Sequence, residues 1–178
     1  MGSLFARRAA PGPLSGNTDL YDYFETAAFF ENRPEQAAEL GEQLFAVWQA
    51  DMELMNGGIA QLLLNGSGDL AEEAVTGFKT FGLPEIGALL AEAFEAIHPD
   101  AVPQDTEERR RWISEALGGA ADFRELMSML NEHMRGYNSR FYRLRQAIDA
   151  EHDGQGYLWR ICSAIEKRRE LLFSSRLH

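Results

Sequence analysis

The sequence has almost no cysteine and no long apolar run, and each absence excludes a class of protein. Cys162 is the single cysteine, which excludes an internal disulfide and a cysteine-rich zinc site. No segment approaches the about 18 uncharged apolar residues that a transmembrane helix needs. Residues 1–16 contain Arg7 and Arg8 but no apolar stretch after them, so they do not form a secretory signal. We therefore expect a cytoplasmic protein.

Basic residues are scarce, and their scarcity is confined to one half of the chain. The 28 acidic residues outnumber the 17 basic ones, which gives a net charge of −11. Residues 19–105 are an acidic first half, with 17 acidic and two basic residues, whereas residues 106–178 are charge-balanced, with 11 acidic and 13 basic residues. An excess of carboxylates opposes direct binding to nucleic acid, because phosphates are contacted mainly by Lys and Arg. The charge favours a basic partner or serves only solubility.

Apolar sequence with helical spacing is abundant. Of the 178 residues, 45% are hydrophobic, which is enough for one folded core. After residue 17 apolar residues recur every three or four positions, and strict alternation never lasts long enough for a strand. We predict an all-α protein of roughly seven or eight helices, with a flexible leader over residues 1–18 and a single compact helical domain over residues 19–178.

Proline and glycine predict the ends of the early helices. A first helix is expected over residues 19–31, and a second begins at Pro34. Asn56-Gly57-Gly58 stops the second helix, since glycine accepts the left-handed backbone of a helix end. A short apolar segment, residues 59–64, and a glycine-rich turn follow.

Later boundaries are predicted from acidic capping residues. Three pairs have the spacing in which the first side chain caps a helix: Asp69 with Glu72, Asp105 with Glu108, and Asp122 with Glu125. Residues 123–150 form either one long helix or two helices broken near Gly136. Residues 156–173 form the last helix.

The acidic residues of the first half fall in rows at helical spacing. The rows are Asp19, Asp22 and Glu25; Glu35, Glu39, Glu42 and Glu53; and Glu85, Glu92 and Glu95. The middle row passes Ala46 and lies opposite an apolar face that includes Leu44 and Trp48. Like charges at this spacing repel by about 0.2–0.5 kcal/mol per pair, and almost no Lys or Arg is interleaved to offset them. The rows are either a solvated acidic face or a surface for a basic partner.

One segment carries a resemblance to a known family. Its residues are Asn56-Gly57-Gly58-Ile59-Ala60-Gln61-Leu62-Leu63-Leu64-Asn65-Gly66-Ser67-Gly68-Asp69. This signature segment resembles the pattern of a bacterial DNA-mimic protein-like helical domain family: Asn-Gly-Gly, an aromatic residue, Gln, two bulky apolar residues, Asn and a small-residue turn with glycine. The departures are Ile59 for the aromatic residue, Leu62 for tyrosine and Gly66 for serine. The similarity extends over about residues 20–130.

The resemblance implies an all-α fold and a protein-binding activity. The studied member of the family presents carboxylates in the arrangement of DNA phosphates and occupies the DNA-binding face of a helix-turn-helix regulator. The signature itself is interpreted as structural, and its key residues are Asn56, Gly57, Gly58, Gln61, Asn65 and Gly68. Gly57 and Gly58 make the turn, while Gln61 and Asn65 satisfy backbone groups where helices meet.

The sequence offers little for catalysis or metal binding. Glu95 with His98 and Asp149 with His152 have the spacing of carboxylate–histidine metal ligands, yet each histidine stands next to a turn. Cys162 is interpreted as a small buried residue. We therefore predict no catalytic residue, no metal site and no cofactor.

A basic cluster in the second half, residues 140–145, also contains Phe141 and Tyr142. Single-stranded nucleic-acid sites combine basic and aromatic residues in this way. Because nearby acids and the net charge oppose that role, salt bridges within the protein, or to an acidic face of a second copy, are the better interpretation.

The sequence leads to one hypothesis and two alternatives. The chain is an acidic protein-binding module, not an enzyme, and it acts as a DNA mimic on a basic DNA-binding protein. The partner-binding residues are Asp19, Asp22, Glu25, Glu35, Glu39 and Glu42. It binds neither nucleic acid nor membrane directly, and it is a monomer or a homodimer. The alternatives are an interaction or immunity-type helical protein without DNA mimicry and an uncharacterised enzyme.

Overall fold

The computed structural model describes residues 26–27, 29–31, 39–151, 154–168 and 172, and most of these residues lie in helices. None of these residues lies in a β-strand, and the prediction of an all-α protein is confirmed. The α-helices are α1 (Glu39–Leu64), α2 (Ala71–Thr80), α3 (Pro84–Glu95), α4 (Thr106–Ala116), α5 (Phe123–His133), α6 (Arg135–Asp149) and α7 (Gly156–Lys167). A 3₁₀-helix, Gly66–Leu70, joins α1 to α2.

One apolar core holds the helices together, and two glycines let α2 approach its neighbours closely. A Cβ at Gly77 on α2 would lie 2.5 Å from the Gln43 carbonyl oxygen of α1, and one at Gly87 on α3 would lie 2.6 Å from the Val75 carbonyl oxygen of α2. Only glycine permits backbones to meet at these distances. Side chains from each of α1 to α7 fill one core, among them Leu44, Leu63, Phe78, Leu90, Ile113, Leu130, Phe141 and Ile161.

Helix α1 is kinked at Gly58, inside the signature segment. Gly58 has φ 74° and ψ −163°, and the helix resumes directly after it. Asn138 of α6 caps the new helical turn, because its Oδ1 accepts a hydrogen bond from Ile59 N at 3.0 Å. The predicted stop at Asn56-Gly57-Gly58 is therefore correct as a break, but residues 59–64 continue as a helix. The cap that restarts the helix comes from 79 residues further along the chain, where local sequence cannot reveal it.

Replacing Gly58 with alanine is expected to lower the free energy of unfolding by about 1–3 kcal/mol. The positive φ disfavours any side chain, and the new Cβ would lie 2.6 Å from Asn138 Oδ1. Urea unfolding followed by circular dichroism measures the change. Gly136→Ala is the matched control, because Gly136 lies within α6 with no atom within 4 Å of its added Cβ. We expect that variant to be neutral or more stable, and equal destabilisation of both variants would contradict the role of Gly58.

Two of the three predicted capping pairs are confirmed. At the start of α4, Asp105 Oδ1 accepts a hydrogen bond from Glu108 N at 2.8 Å. At the start of α5, Asp122 Oδ1 accepts one from Glu125 N at 2.9 Å. Each cap satisfies a backbone N–H that has no partner within its own helix.

The prediction that Asp69 and Glu72 form a helix-capping pair is wrong. Helix α2 begins at Ala71, and Leu70 at its cap position makes no side-chain hydrogen bond. Asp69 instead forms an ion pair with Arg109 of α4 at 3.0 Å. A charged donor binds a carboxylate more strongly than a backbone N–H does, so the ion pair prevails over the cap.

The second half follows the predicted boundaries with one shift. Residues 123–150 form two helices, and the break falls at Met134 rather than at Gly136. Met134 is fully buried, so the break places its side chain in the core. The last helix begins at Gly156 as predicted.

The predicted N-terminal features lie mostly outside the described residues. Residues 26–27 and 29–31 are helical, in agreement with the end of the predicted first helix. The predicted leader, residues 1–18, lies wholly outside. Among the described residues, no helix has both the length and the apolar character to cross a membrane.

Candidate functional site

Three polar side chains of the signature segment converge on one partly buried carboxylate, that of Glu53. Gln61 Nε2 and Asn65 Nδ2 donate to Glu53 Oε2 at 2.6 and 3.1 Å. Ser67 Oγ donates to Glu53 Oε1 at 3.0 Å. The prediction that Gln61 and Asn65 satisfy backbone groups is wrong, because the partly buried carboxylate needs donors and these side chains supply them. Glu53 is thereby removed from the predicted acidic row of α1.

A fully buried arginine of α4 holds the end of the signature segment. The Arg109 guanidinium donates to four backbone carbonyl oxygens at 2.6 to 2.9 Å, those of Leu63, Asn65, Pro103 and Gln104. A Cβ at Gly68 would lie 2.7 Å from Arg109 Nε, so a glycine at this position makes room for the guanidinium. The side chains of Gln61, Asn65 and Ser67 thus form contacts that stabilise the fold, and Gly68 leaves space for Arg109.

Arginines of the second half neutralise acidic residues of the first half. The ion pairs are Arg140–Glu92 at 2.7 Å, Arg160–Glu85 at 3.3 Å and Arg145–Asp51 at 2.7 Å. The expectation that residues 140–145 form salt bridges within the protein is confirmed for Arg140 and Arg145. Almost no Lys or Arg is interleaved with the row that contains Glu85 and Glu92, but α6 and α7, which are distant in sequence, supply cations to it.

The ion pairs and burial shift the pKa values of these groups. The hydrogen bonds between Arg140 and Glu92 lower the pKa of the Glu92 carboxyl and raise the pKa of the guanidinium. Burial raises the pKa of the Asp51 carboxyl, although the charge of Arg145 opposes that shift. Arg145 also lies over the ring of Tyr157, 3.3 Å from its centroid. Asp51 therefore belongs to an internal ion pair and not to an acidic surface.

Several described carboxylates of the first half form no ion pair with a described residue, and four of them line one groove between α1 and α2, whereas Glu31, Glu95 and Asp105 lie elsewhere. This acidic groove has a volume of about 340 Å³ and is lined by Glu39, Glu42, Gln43, Glu72, Glu73 and Thr76. The contact of Gly77 with the backbone of Gln43 brings the two helices together and so concentrates their carboxylates. Negative charge is therefore left uncompensated at this place in the described fold.

The helix termini stabilise these charges in part. Glu39 and Glu42 lie in the first turn of α1, and Glu72 and Glu73 lie in the first turn of α2. Carboxylates at a helix N-terminus gain about 0.3–1 kcal/mol each from the helix dipole. That gain explains why the charges are tolerated, but it does not explain why both sets face the same groove.

Two residues that line the acidic groove each have one buried oxygen atom that accepts no hydrogen bond from the described residues. Gln43 is only 8% exposed, and its Nε2 donates to Glu39 Oε1 at 3.3 Å while its Oε1 has no partner. Glu73 Oε1 accepts from Gln104 Nε2 at 3.3 Å, and its buried Oε2 has no partner. Leaving a buried acceptor unpaired costs about 1–3 kcal/mol. Both atoms are enclosed by the protein, so the groove presents a ligand with the charge of its carboxylates and not with these two oxygens.

Two of the six predicted partner-binding residues lie in the described part of the chain. Glu39 and Glu42 are exposed and line the acidic groove. The other four, Asp19, Asp22, Glu25 and Glu35, lie outside the described residues. The predicted row does not continue past Glu42, because Ala46 is fully buried.

Glu72 and Glu73 complete the groove, and the sequence does not single them out as binding residues. Glu72 is predicted only as part of a cap, whereas its Oε1 accepts a hydrogen bond from Val102 N at 3.2 Å. The sequence signal that could have identified them is a pair of adjacent acidic residues in the first turn of a helix, with no basic residue before Lys79.

The other chemistry considered from the sequence forms no site in the described residues. Cys162 is fully buried, as expected for a small core residue. His98 pairs with Asp100 at 3.3 Å, and His152 lies outside the described residues. Within those residues, no group of three or more His, Cys, Asp or Glu side chains is placed to hold a metal ion.

Comparison with protein families identifies the family of this chain. A family model described as DMP19-like protein matches residues 38–155. No curated protein and no solved structure matches the chain. The matched residues include the signature segment, Arg109 and every residue that lines the acidic groove.

Proposed function

The chain belongs to the DMP19-like protein family, and from that premise we propose that it is a DNA mimic that binds a basic DNA-binding protein through the acidic groove. Its activity is binding rather than catalysis. The proposed partner is a transcription regulator of the helix-turn-helix type, and the proposed location of binding is the cytoplasm. Asp19, Asp22, Glu25 and Glu35, which lie outside the described residues, remain predicted partner-binding residues.

The distribution of unpaired charge is the observation that supports this proposal. Elsewhere in the described first half, carboxylates such as Asp51, Glu85 and Glu92 are paired with arginines. In the acidic groove four carboxylates form no ion pair with a described residue, although like charges at helical spacing repel. A surface that served only stability or solubility would mix charges of both signs. A basic partner would relieve the repulsion on binding.

A DNA-binding face is a suitable partner for such a groove. It carries Lys and Arg side chains placed to contact phosphates. Glu39 and Glu42 stand three residues apart on α1, a spacing that separates Cβ atoms by about 5–6 Å. Glu72 and Glu73 supply negative charge from α2, on the other side of the groove.

Partner binding is expected to be strong at low salt and to weaken steeply as salt rises, because exposed charges are screened. The full chain is immobilised, exposed to lysate of its source organism at low salt, and eluted with a salt gradient. The expected result is a helix-turn-helix or histone-like protein, identified by mass spectrometry, that is released at moderate salt and displaced by duplex DNA. Retention of no basic protein would overturn the proposal.

Exposed apolar side chains support a second candidate function, an interaction module without DNA mimicry. Met52 and Met55 are 46% and 50% exposed and lie three residues apart on α1. Nearby, the Tyr142 hydroxyl donates a hydrogen bond to Leu54 O at 3.3 Å. Methionine side chains adapt to partners of varied shape. A partner held by this surface would remain bound at high salt and would not be displaced by DNA, which separates the two candidates.

A further inference from the structure

We infer that Met52 and Met55 are a site of reversible oxidation, at which a small peroxide converts both thioethers to sulfoxides and removes an apolar surface without unfolding the protein. Neither residue lines the acidic groove, and the chemistry of the site does not depend on the proposed function. The oxidant is identified by its class, a hydroperoxide such as hydrogen peroxide.

Exposure distinguishes these two methionines from the others in the described chain. Met52 and Met55 are exposed, whereas Met127 and Met129 are only partly exposed and Met134 is fully buried. A thioether is oxidised where the oxidant can reach its sulfur, so the described fold directs a peroxide to Met52 and Met55 first. The thiol of Cys162 is also fully buried, and the fold shields it from the same oxidant.

Met52 and Met55 belong to one apolar patch that lies on the surface of α1. They stand three residues apart, a spacing that makes side chains neighbours on a helix. Tyr142 of α6 is also exposed, and its hydroxyl donates a hydrogen bond to the carbonyl oxygen of Leu54, which lies between the two methionines in sequence. The Leu54 side chain is fully buried in the core. The core contact of this helical turn is therefore made by Leu54, and a chemical change at the two methionines leaves it in place.

The reaction is a two-electron oxidation of each sulfur atom. A lone pair of the thioether sulfur attacks one oxygen of hydrogen peroxide, and an S–O bond forms as the O–O bond breaks. The hydroxide that leaves takes the proton of the transferred oxygen and becomes water, so no further reactant is needed. The product is a polar sulfoxide in place of an apolar side chain. Because both side chains are exposed, water solvates the new oxygen atoms.

The test treats the folded full chain with a limiting amount of hydrogen peroxide and locates sulfoxides over time by peptide mass spectrometry. We expect Met52 and Met55 to be oxidised at least about tenfold faster than Met134, and faster than Met127 and Met129. Hydrophobic-interaction chromatography follows the patch, and the oxidised protein is expected to elute earlier. Its thermal unfolding should remain within about 2 °C of that of the untreated protein. The two methionine sulfoxide reductases, one for each epimer, with a thiol reductant are expected to restore the elution time.

Two variants show whether the response comes from these two thioethers. The double replacement Met52→Leu and Met55→Leu keeps an apolar surface and a strong helix preference but has no sulfur, so peroxide should not change its elution. Met129→Leu is the matched control, because it removes one methionine of α5 and should leave the response to peroxide intact.

Several results would overturn the inference. They are oxidation of Met134 as fast as that of Met52 and Met55, unchanged elution of the oxidised protein, and an equal change of elution in the double leucine variant. Unfolding of the protein on oxidation at these two residues, loss of the response in Met129→Leu, or sulfoxides that the reductases do not reduce would contradict it as well.

Discussion

Replacing Arg109 with alanine is expected to lower the free energy of unfolding by about 3–5 kcal/mol. Arg109 is fully buried, and its guanidinium donates to four backbone carbonyl oxygens. It also contacts Asp69 Oδ1 at 3.0 Å and Thr106 Oγ1 at 3.3 Å. Alanine would leave buried acceptors without a donor and a cavity beside Gly68. The variant would therefore loosen the end of α1, the loop before α4 and α4 itself together.

Urea unfolding measures this loss directly. In a domain of this size about 1 kcal/mol corresponds to 2–4 °C, so thermal unfolding should occur roughly 6–20 °C lower. Arg111→Ala is the matched control, because Arg111 is an exposed arginine on the same helix, and its replacement should change stability by less than about 0.5 kcal/mol.

A lysine variant tests whether the several N–H donors of the planar Arg109 guanidinium stabilise the fold in addition to its positive charge. Arg109→Lys keeps the positive charge, but a single ammonium cannot reach acceptors on both sides of the site. We expect it to recover less than half of the stability that alanine loses. Full recovery by lysine would show that charge alone suffices. Equal stability of Arg109→Ala and Arg111→Ala would contradict the role of Arg109 altogether.

Helix boundaries could be predicted where the signal is local. Asp105 and Asp122 cap helices whose backbone N–H groups lie three residues away, so the sequence contains the whole interaction. The prediction is wrong for Asp69, because its partner, Arg109, lies 40 residues further along the chain. Tertiary contacts prevail over local ones wherever a charged, buried group competes for the same atom.

The hydrogen-bond partners of Arg109 are a second feature that the sequence pattern does not predict. Position 109 lies four residues before the buried Ile113, so it occupies the apolar face of α4. An arginine at such a position is a signal that it is buried and paired, yet its acceptors in α1 and the following turn lie 44 and 46 residues away. Which atoms it holds is evident only in the fold.

The candidate site could be predicted only in part for the same reason. Helical spacing places Glu39 and Glu42 on one face of α1, but the uncompensated charge depends on which acids the distant arginines neutralise. The groove also depends on Gly77, whose missing side chain sets how closely α2 meets α1. Net charge by region predicts an acidic half, whereas only the fold separates paired carboxylates from unpaired ones.

Reversing the charge of the groove is expected to weaken binding of the captured basic partner by at least about 100-fold, which corresponds to about 2.7 kcal/mol. The variant is the double replacement Glu39→Lys and Glu42→Lys. Both side chains are exposed, so the fold should tolerate lysine, whereas juxtaposed like charges at an interface cost several kcal/mol. Titration of the purified partner at two salt concentrations measures the loss, and circular dichroism checks that the variant is folded.

The control variant must distinguish the effect of the groove on binding from the effect of the net charge of the protein. Glu115→Lys with Glu166→Lys also replaces two exposed acids and changes the net charge by the same four units, since each replacement changes it by two, but these residues lie on α4 and α7 away from the groove. If binding depends on the groove, this control should keep its affinity within a fewfold of the parent, because distant exposed charges are screened. Equal weakening by both doubles would mean that the partner responds to net charge and not to the groove. Unchanged binding in the groove variant would exclude Glu39 and Glu42 from the interface. The partner would then contact other acidic residues of the first half.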